Sequence, residues 1–489
     1  MTRKKVLNLY QAGVEAVMGS LQQLWRQVGT LKKRVSRLQK QVNQLKEQLA
    51  KNSRNSSKPP SSDSPYRSSP RSLRPKGQRK TGGQKGHPGS TLQQVEKTNH
   101  TVVHSVEQCK SCGASLTEAP ASEVQKRQLF DLPPARMEVT EHQSEIKQCP
   151  CCNQINQAGF PSQLKAPAQY GSRIKAMIVY LRGYQLLPSK RTCELLRDLF
   201  GVNVSQGTLA NILQECSQAL QQPLEKIVRE LQNSPLVHAD ESGGSVNGKL
   251  HWFHVAGNQK WTCYQIHSKR GWEAIEHIGI LGNLKGRLIH DFWKPYFQYQ
   301  GPHGLCNAHH LRELSFLFEE QKQSWAGEMK TCLLEMKDFV EKQTSIETPM
   351  AIETIQSFEA RYQQIICQGY AENPMPQKSC DNNDRKKRGR PKLTRALNLL
   401  NRFRDYSQEV LAFFYDPRVP FDNNLAERDI RMLKVQQKIS GTFRSKNGAD
   451  AFCRIRSYIS TIRKNGIHAI EALAHVFAAT PSTLFPDTS

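Results

Sequence analysis

From Leu21 the apolar residues recur at alternating steps of three and four: Leu21, Leu24, Val28, Leu31, Val35, Leu38, Val42, Leu45 and Leu49. Val at three successive a positions with Leu at every d position predicts a parallel two-stranded coiled coil within residues 1–50, because β-branched a residues pack best in that geometry. Over 51–94 the chain turns to Ser, Pro, Arg, Lys and Gly. That stretch has too little apolar surface to offset the entropy of ordering and is expected to be a basic, disordered linker. Within 166–232, the stretch Lys190–Gln214 reads as a helix, Gly201 as its stop, Ser205 as an N-cap and Thr208–Leu213 as part of a second helix. This helix-turn-helix-like segment makes the Gln206–Asn211 helix a candidate for DNA recognition.

The period then changes to two. Leu236–Asp240 is a short apolar run followed by an expected turn at Gly243-Gly244; Leu250–Ala256 and Trp261–His267 read as antiparallel strands, and Gly286–Asp291 as a further strand. Residues 311–400 read as mostly helical and separate this part, 233–310, from a C-terminal part, 401–489. The whole is expected to be multidomain α+β, with a mixed α/β domain split by a helical insertion.

Length and charge add to this picture. A chain of 489 residues is too long for one core. Lys and Arg exceed Asp and Glu by 69 to 43, and residues 1–90 alone hold 20 basic and 3 acidic side chains, so a polyanion is the expected partner. No apolar run approaches the ~18 residues of a membrane span, and Arg3-Lys4-Lys5 lacks the apolar core of a signal peptide behind it. A cytoplasmic protein is expected, and its 13 cysteines are then thiols and metal ligands, not disulfides. Cys109-Lys-Ser-Cys112 and Cys149-Pro-Cys-Cys152 are two Cys-x-x-Cys knuckles at the spacing of a closed four-thiolate structural Zn²⁺ site, with Cys151 as a spare, in a module over 95–165. Such a site has no open position for water, so it folds a module and does not catalyse.

Candidate chemistry sits on the acids. Asp240 and Asp291 each end an apolar run, so two carboxylates at the ends of separate strands can converge. A third comes from Val419–Arg431, where Asp422 or Asn423 is the expected N-cap, Asp422 being favoured, and Glu427 falls in the second helical turn. Three short acids suit two Mg²⁺ (or Mn²⁺) ions, which prefer oxygen ligands. Cys306 and His309 have metal-like spacing, but two ligands do not close a site, and packing or DNA contact is the expectation. Lys387, Arg388, Arg390 and Lys392 form an AT-hook-like stretch suited to a narrow minor groove. Arg428, Arg431, Lys434, Lys438, Arg444, Lys446, Arg454, Arg456, Arg463 and Lys464 are candidate phosphate contacts.

Ser56-Ser-Lys-Pro-Pro-Ser-Ser-Asp63, Gly82-Gly-Gln-Lys-Gly-His-Pro-Gly89, the two knuckles, His238-Ala-Asp-Glu241, Cys306-Asn-Ala-His309 and Phe421-Asp-Asn-Asn-Leu-Ala-Glu-Arg428 follow one another along nearly the whole chain. In this the sequence resembles the insertion-sequence-66 family of transposases. The resemblance implies an RNase H-like catalytic domain with an Asp-Asp-Glu site, carried onto Asp240, Asp291 and Glu427; only His290 and Tyr296 mark the middle acid. It also implies nicking of the element's 3′ ends and direct joining to target DNA, without a covalent protein–DNA intermediate. The expected partners are element-end and target DNA, a second copy through the coiled coil, and accessory transposition proteins, in a nucleoid-associated setting. The rival readings are a metal-dependent nuclease lacking strand transfer and a non-enzymatic, zinc-containing DNA-binding regulator.

Overall fold

The structure, a computed structural model, describes residues 8, 10–52, 55–56, 92–132, 137–344, 351–375 and 393–478. The AT-hook-like stretch Lys387–Lys392, most of the basic linker, its Gly-rich motif and all but Ser56 of its Ser-rich motif lie outside these residues. The chain divides into two units, one of Met1–Pro70, Phe160–Thr192 and Ser205–Ser489, the other of Arg71–Gly159 and Cys193–Val204.

The larger unit begins with α1 (Val14–Ala50), a helix of 37 residues. Its apolar stripe is exposed at every position from Leu21 to Leu49, with Leu31 58% and Val35 57% accessible. The smaller unit holds the two-stranded antiparallel sheet β1 (Ile146–Gln148) and β2 (Ile155–Gln157). Helix α2 (Ser172–Val179) runs into a π-helical turn, and α3 (Ser189–Phe200) crosses the boundary between units in sequence. Gly201, at φ 66°, ends α3. Ser205 caps α4 (Gln206–Ala219) by accepting the Thr208 N–H at 3.0 Å, and α5 (Gln221–Gln232) follows.

The centre of the larger unit is a five-stranded mixed sheet in the order β5-β4-β3-β6-β7. Strands β3 (Leu236–Val246), β4 (Lys249–Gly257) and β5 (Thr262–His267) form an antiparallel meander; β6 (Arg287–His290) pairs parallel with β3, and β7 (His303–Leu305) parallel with β6. The turn expected at Gly243-Gly244 is not there. Strand β3 runs straight through both glycines and turns at Asn247-Gly248, whose φ values of 49° and 73° suit a two-residue hairpin turn. Gly244 instead serves close packing: a Cβ there would lie 2.5 Å from Gln437 Nε2 and 2.7 Å from the Phe253 ring.

Between β5 and β6 lies α6 (Trp272–Ile278). After β7 come α7 (Asn307–Gln321), α8 (Ser324–Thr344), α9 (Ile352–Glu372), α10 (Arg395–Asp405) and the short α11 (Ser407–Val410) and α12 (Ala412–Tyr415). The chain ends in α13 (Asn424–Ser440), α14 (Lys446–Lys464) and α15 (Ala469–Phe477). Phe253, Val255, Tyr264 and Ile266 of β4 and β5 bury against Ile430, Leu433 and Phe452 of α13 and α14. Helix α14 also closes the sheet edge: Ser457 and Thr461 hydroxyls accept the Tyr264 and Thr262 backbone N–H groups, which would otherwise face outward unpaired. The helices between β7 and α13 share one core with Ile289 of β6 and Leu305 of β7, through Trp325, Met329, Tyr362 and Phe403. The insertion is therefore continuous with the sheet's parallel edge.

Candidate active site

The parallel register leads two of the acids to the same end of the β3–β6 pairing. Val237 pairs with Leu288 and His238 with Ile289, so two positions further along each chain lie Asp240 and Asp291. Adjacent strands stand about 4.8 Å apart, and residues at matched positions point to the same face. Asp240 is not at a strand end, as expected from sequence, but in mid-strand, opposite Val255; Asp291 does follow the last residue of β6. Burial holds the Asp240 carboxyl well above the usual carboxylate range, and the charges of Glu241, Asp291 and Glu427 push the same way. Its Oδ1 accepts the Glu241 N–H at 2.8 Å, while Asp291 Oδ1 accepts that of Trp293 at 3.1 Å. A buried carboxylate among three others, lacking a cation of its own, has the donor chemistry of a hard-cation site.

Glu241 is a fourth acid to which the sequence reading gave no role. Its side chain is 2% accessible, takes Arg270 Nη2 at 2.6 Å and accepts the Tyr296 hydroxyl. Arg270 is held between the Trp252 and Trp293 rings, 4.7 and 4.3 Å from their centroids. Glu241 is thus occupied by a cationic and a hydroxyl partner, whereas Asp240 accepts a backbone N–H.

Glu427 stands in the first turn of α13, not the second. Its Oε1 lies 3.7 Å from His309 Nδ1 and its Oε2 4.0 Å from Arg312 Nη2. Both Glu427 Oε1 and His309 Nδ1 are buried without a hydrogen-bond partner. Ligand atoms of Cys306, His309 and Glu427 all lie within 4.8 Å of one another. Among the described residues no other such group of three is gathered this closely, so the oxygens of Asp240, Asp291 and Glu427 are not. Ligands shared between two ions about 3.5–4 Å apart need not be.

Two buried asparagines fix the helices that carry these groups. Asn423 donates Nδ2–H to the Ala239 carbonyl at 2.9 Å and takes His238 Nδ1 on its Oδ1 at 2.8 Å, so that ring nitrogen carries the proton. Its backbone N–H points at Cys306 Sγ, 3.2 Å away. Asn307 does the same for α7, donating to the Val410 carbonyl at 2.9 Å and pairing with His310 Nδ1 at 3.0 Å. Burial lowers the His238 and His310 pKa values, which keeps both rings neutral donors.

In the smaller unit the two knuckles are copies of one turn. Cys109 N–H donates to Ala114 O and Gly113 N–H to Cys109 O; Cys149 N–H donates to Gln154 O and Asn153 N–H to Cys149 O. Gly113 and Asn153 occupy the left-handed region at matched places, φ 74° and 59°. Backbone N–H groups of the following residues lower the Cys109 and Cys149 thiol pKa values, which favours the thiolate that zinc binds. Among the described residues no three of the knuckle sulfurs lie within 4.8 Å of one another, so the four thiols are not drawn together onto one point here.

A family model described as "Transposase IS66 family" matches residues 167–451, more than half of the chain, from before α2 through the whole five-stranded sheet to the start of α14. The chain belongs to the IS66 family of transposases. Consistent with the IS66 assignment, the model "zinc-finger binding domain of transposase IS66" matches 107–153 and spans both knuckles, which supports a structural Zn²⁺ there. A "Family of unknown function (DUF6444)" matches 8–93, the segment of α1 and the basic linker. No curated protein matches. Among solved structures, a simian T-cell lymphotropic virus intasome in complex with the PP2A regulatory subunit B56 gamma is 11% identical, covering 44% of this chain and 78% of that one at a TM-score of 0.13. So low a score supports no structural argument.

The basic residues of this IS66 chain divide into two groups. Arg428, Arg431, Lys438 and Arg444 are exposed on α13 and the loop after it. Several other candidate phosphate contacts are used internally. Arg456 is buried against the Tyr184 ring, Arg454 bonds the Ser217 carbonyl, Lys434 the Gly243 carbonyl, and Lys464 pairs with Asp429 at 2.9 Å. No helix among the described residues is long and apolar enough to cross a membrane.

Proposed function

We propose that this transposase cleaves the 3′ ends of its insertion sequence and joins them to target DNA by phosphoryl transfer, with Asp240, Asp291 and Glu427 holding two Mg²⁺ (or Mn²⁺) ions. The observation that carries the reading is the β3–β6 register, whose last pair, His238 with Ile289, stands two residues before Asp240 and Asp291, together with the rise of the Asp240 carboxyl in the company of Asp291 and Glu427. When bound, the two ions would activate water or a 3′-hydroxyl and stabilise the leaving oxygen. The protein's part is to hold the acids on rigid elements: β3 and β6 fix the aspartates, and Asn423 fixes the start of α13 that carries Glu427. An RNase H-like catalytic domain is supported by a three-strand antiparallel meander extended by two parallel strands, with α13 packed on β3 and β4 and α14 along the β5 edge. In this reading the exposed Arg428, Arg431, Lys438 and Arg444 hold phosphates, and the AT-hook-like stretch and α4 are further DNA contacts. Cys109, Cys112, Cys149 and Cys152 are its zinc ligands. The apolar stripe of α1, exposed within one chain, favours pairing of two copies so that both element ends enter one complex.

Purified protein is expected to cleave and join labelled element-end DNA only with Mg²⁺ or Mn²⁺, and Asp240→Ala and Glu427→Ala each to lose at least about a hundredfold in rate. Full activity in either variant rules out the triad. Cleavage without joined product selects the simple nuclease, and DNA binding without cleavage selects the regulator.

A further inference from the structure

We propose that Cys306, His309 and Glu427 form a second kind of metal site, one for a thiophilic divalent cation of the Zn²⁺ class. The donors are one sulfur, one imidazole nitrogen and one carboxylate oxygen, a set that suits Zn²⁺ and not the hard cations expected at the aspartates. Geometry favours it over coincidence. His309 Nδ1 and Glu427 Oε1 are buried, face each other at 3.7 Å and bond nothing else. Ligand atoms about 2.0–2.3 Å from a tetrahedral ion stand roughly 3.3–3.8 Å apart, so that separation already fits, and the outer limit of 4.8 Å for the group needs only a small contraction.

Rigid elements present all three donors. Cys306 is the N-cap residue of α7, its N–H held by the His290 carbonyl at 3.0 Å, and His309 lies one turn further on, its N–H bonded to the Cys306 carbonyl. Glu427 comes from α13, anchored through Asn423. His309 and Glu427 keep 25% and 19% side-chain exposure, which leaves an entry path and a fourth position for water. Binding releases the Cys306 thiol proton and forms three bonds to the ion; the thiolate and carboxylate together balance its charge. Resting on the proposed role of Glu427 in the acid triad, such an ion withdraws Glu427 from Mg²⁺, so Zn²⁺ is an inhibitor of this enzyme and not its activator.

The test uses the full chain with its knuckles loaded with zinc, to which Co²⁺ is added as a spectroscopic probe. A thiolate-to-cobalt charge-transfer band saturating at about one equivalent per chain, with knuckle zinc content unchanged, is expected. It should vanish in Cys306→Ser and weaken in His309→Ala. Absence of the band in the wild type overturns the site whatever the variants do, as does an undiminished band in folded Cys306→Ser. Mg²⁺-dependent cleavage measured on the same preparation separates the two readings: cleavage without the band refutes the thiophilic site, and a band without cleavage supports the site while counting against the triad.

Discussion

Asn423 is 2% accessible and carries no chemistry of its own, yet its side chain ties α13 to β3 beside Asp240. Replacing it with Ala leaves the Ala239 carbonyl and the His238 Nδ1–H unpaired in the interior, at about 1–3 kcal/mol for each. It also frees the turn that sets Glu427, whose N–H bonds the Asn423 carbonyl at 3.1 Å. Asn423→Ala is expected to lower the unfolding midpoint by several degrees. It should also lower DNA cleavage by more than the folded fraction falls, as measured by calorimetry and by turnover at a temperature where the variant is folded. A variant as stable and as active as wild type removes this positioning role. From sequence, Asp422 looked the better cap, but the N-cap residue of α13 is Asn423, and Asp422, one position earlier, accepts the Asn424 N–H at 3.0 Å. What could not be read was that Asn423 faces the other way, since its partners are 184 and 185 residues distant in the chain. Glu427 illustrates the same limit: Cys306 and His309 were visible as a spaced pair, but only folding supplies the third donor.

At the scale of elements, the long helix tests how far a pattern can be trusted. The nine residues of the apolar stripe from Leu21 to Leu49 remain exposed on α1, while at its C-terminal end Ala50 packs on the insertion core and Glu47 bonds Gln321 at 3.1 Å. If two copies bury this stripe, Leu31→Lys with Leu38→Lys places like charges at two d positions and converts a dimer to monomer in sedimentation equilibrium, with the zinc and sheet units still folded. A wild-type monomer at high concentration refutes the pairing. Period-two stretches were legible as strands because alternation is local. The Gly243-Gly244 turn was misread because glycine marks both turns and close approaches, and only the helix crossing above β3 distinguishes them. Register was not legible at all: nothing local says that His238 pairs with Ile289, yet that pairing is what leads Asp240 and Asp291 to the same end of the β3–β6 pairing.

Across the whole molecule, burial sets opposite pH responses in two sets of groups. His254 is pushed down to about 4 and His290 to about 3, chiefly by burial, so both are neutral when folded and free to charge when unfolded. A depressed histidine contributes its full stability above the unfolded value near 6.5 and loses it progressively as pH falls from there toward the folded value, by about 1.4 kcal/mol per pH unit for each proton taken up on unfolding. Asp240 and Glu241 are raised, so their contribution has the other sign: it is present below the unfolded carboxylate value and lost as pH rises through the folded one. The acid-side loss therefore comes from the histidines and is independent of metal, while the penalty at neutral pH comes from crowded carboxylates and is relieved by a cation. Unfolding midpoints should fall between roughly pH 7 and 5 with a slope reduced in His254→Gln, and Mg²⁺ should raise the midpoint at neutral pH in wild type but not in Asp240→Asn. Asp240→Asn without metal should be the more stable protein at neutral pH, because it removes a buried charge from beside three others. A midpoint in Asp240→Asn that still rises with Mg²⁺ as in wild type places the cation elsewhere.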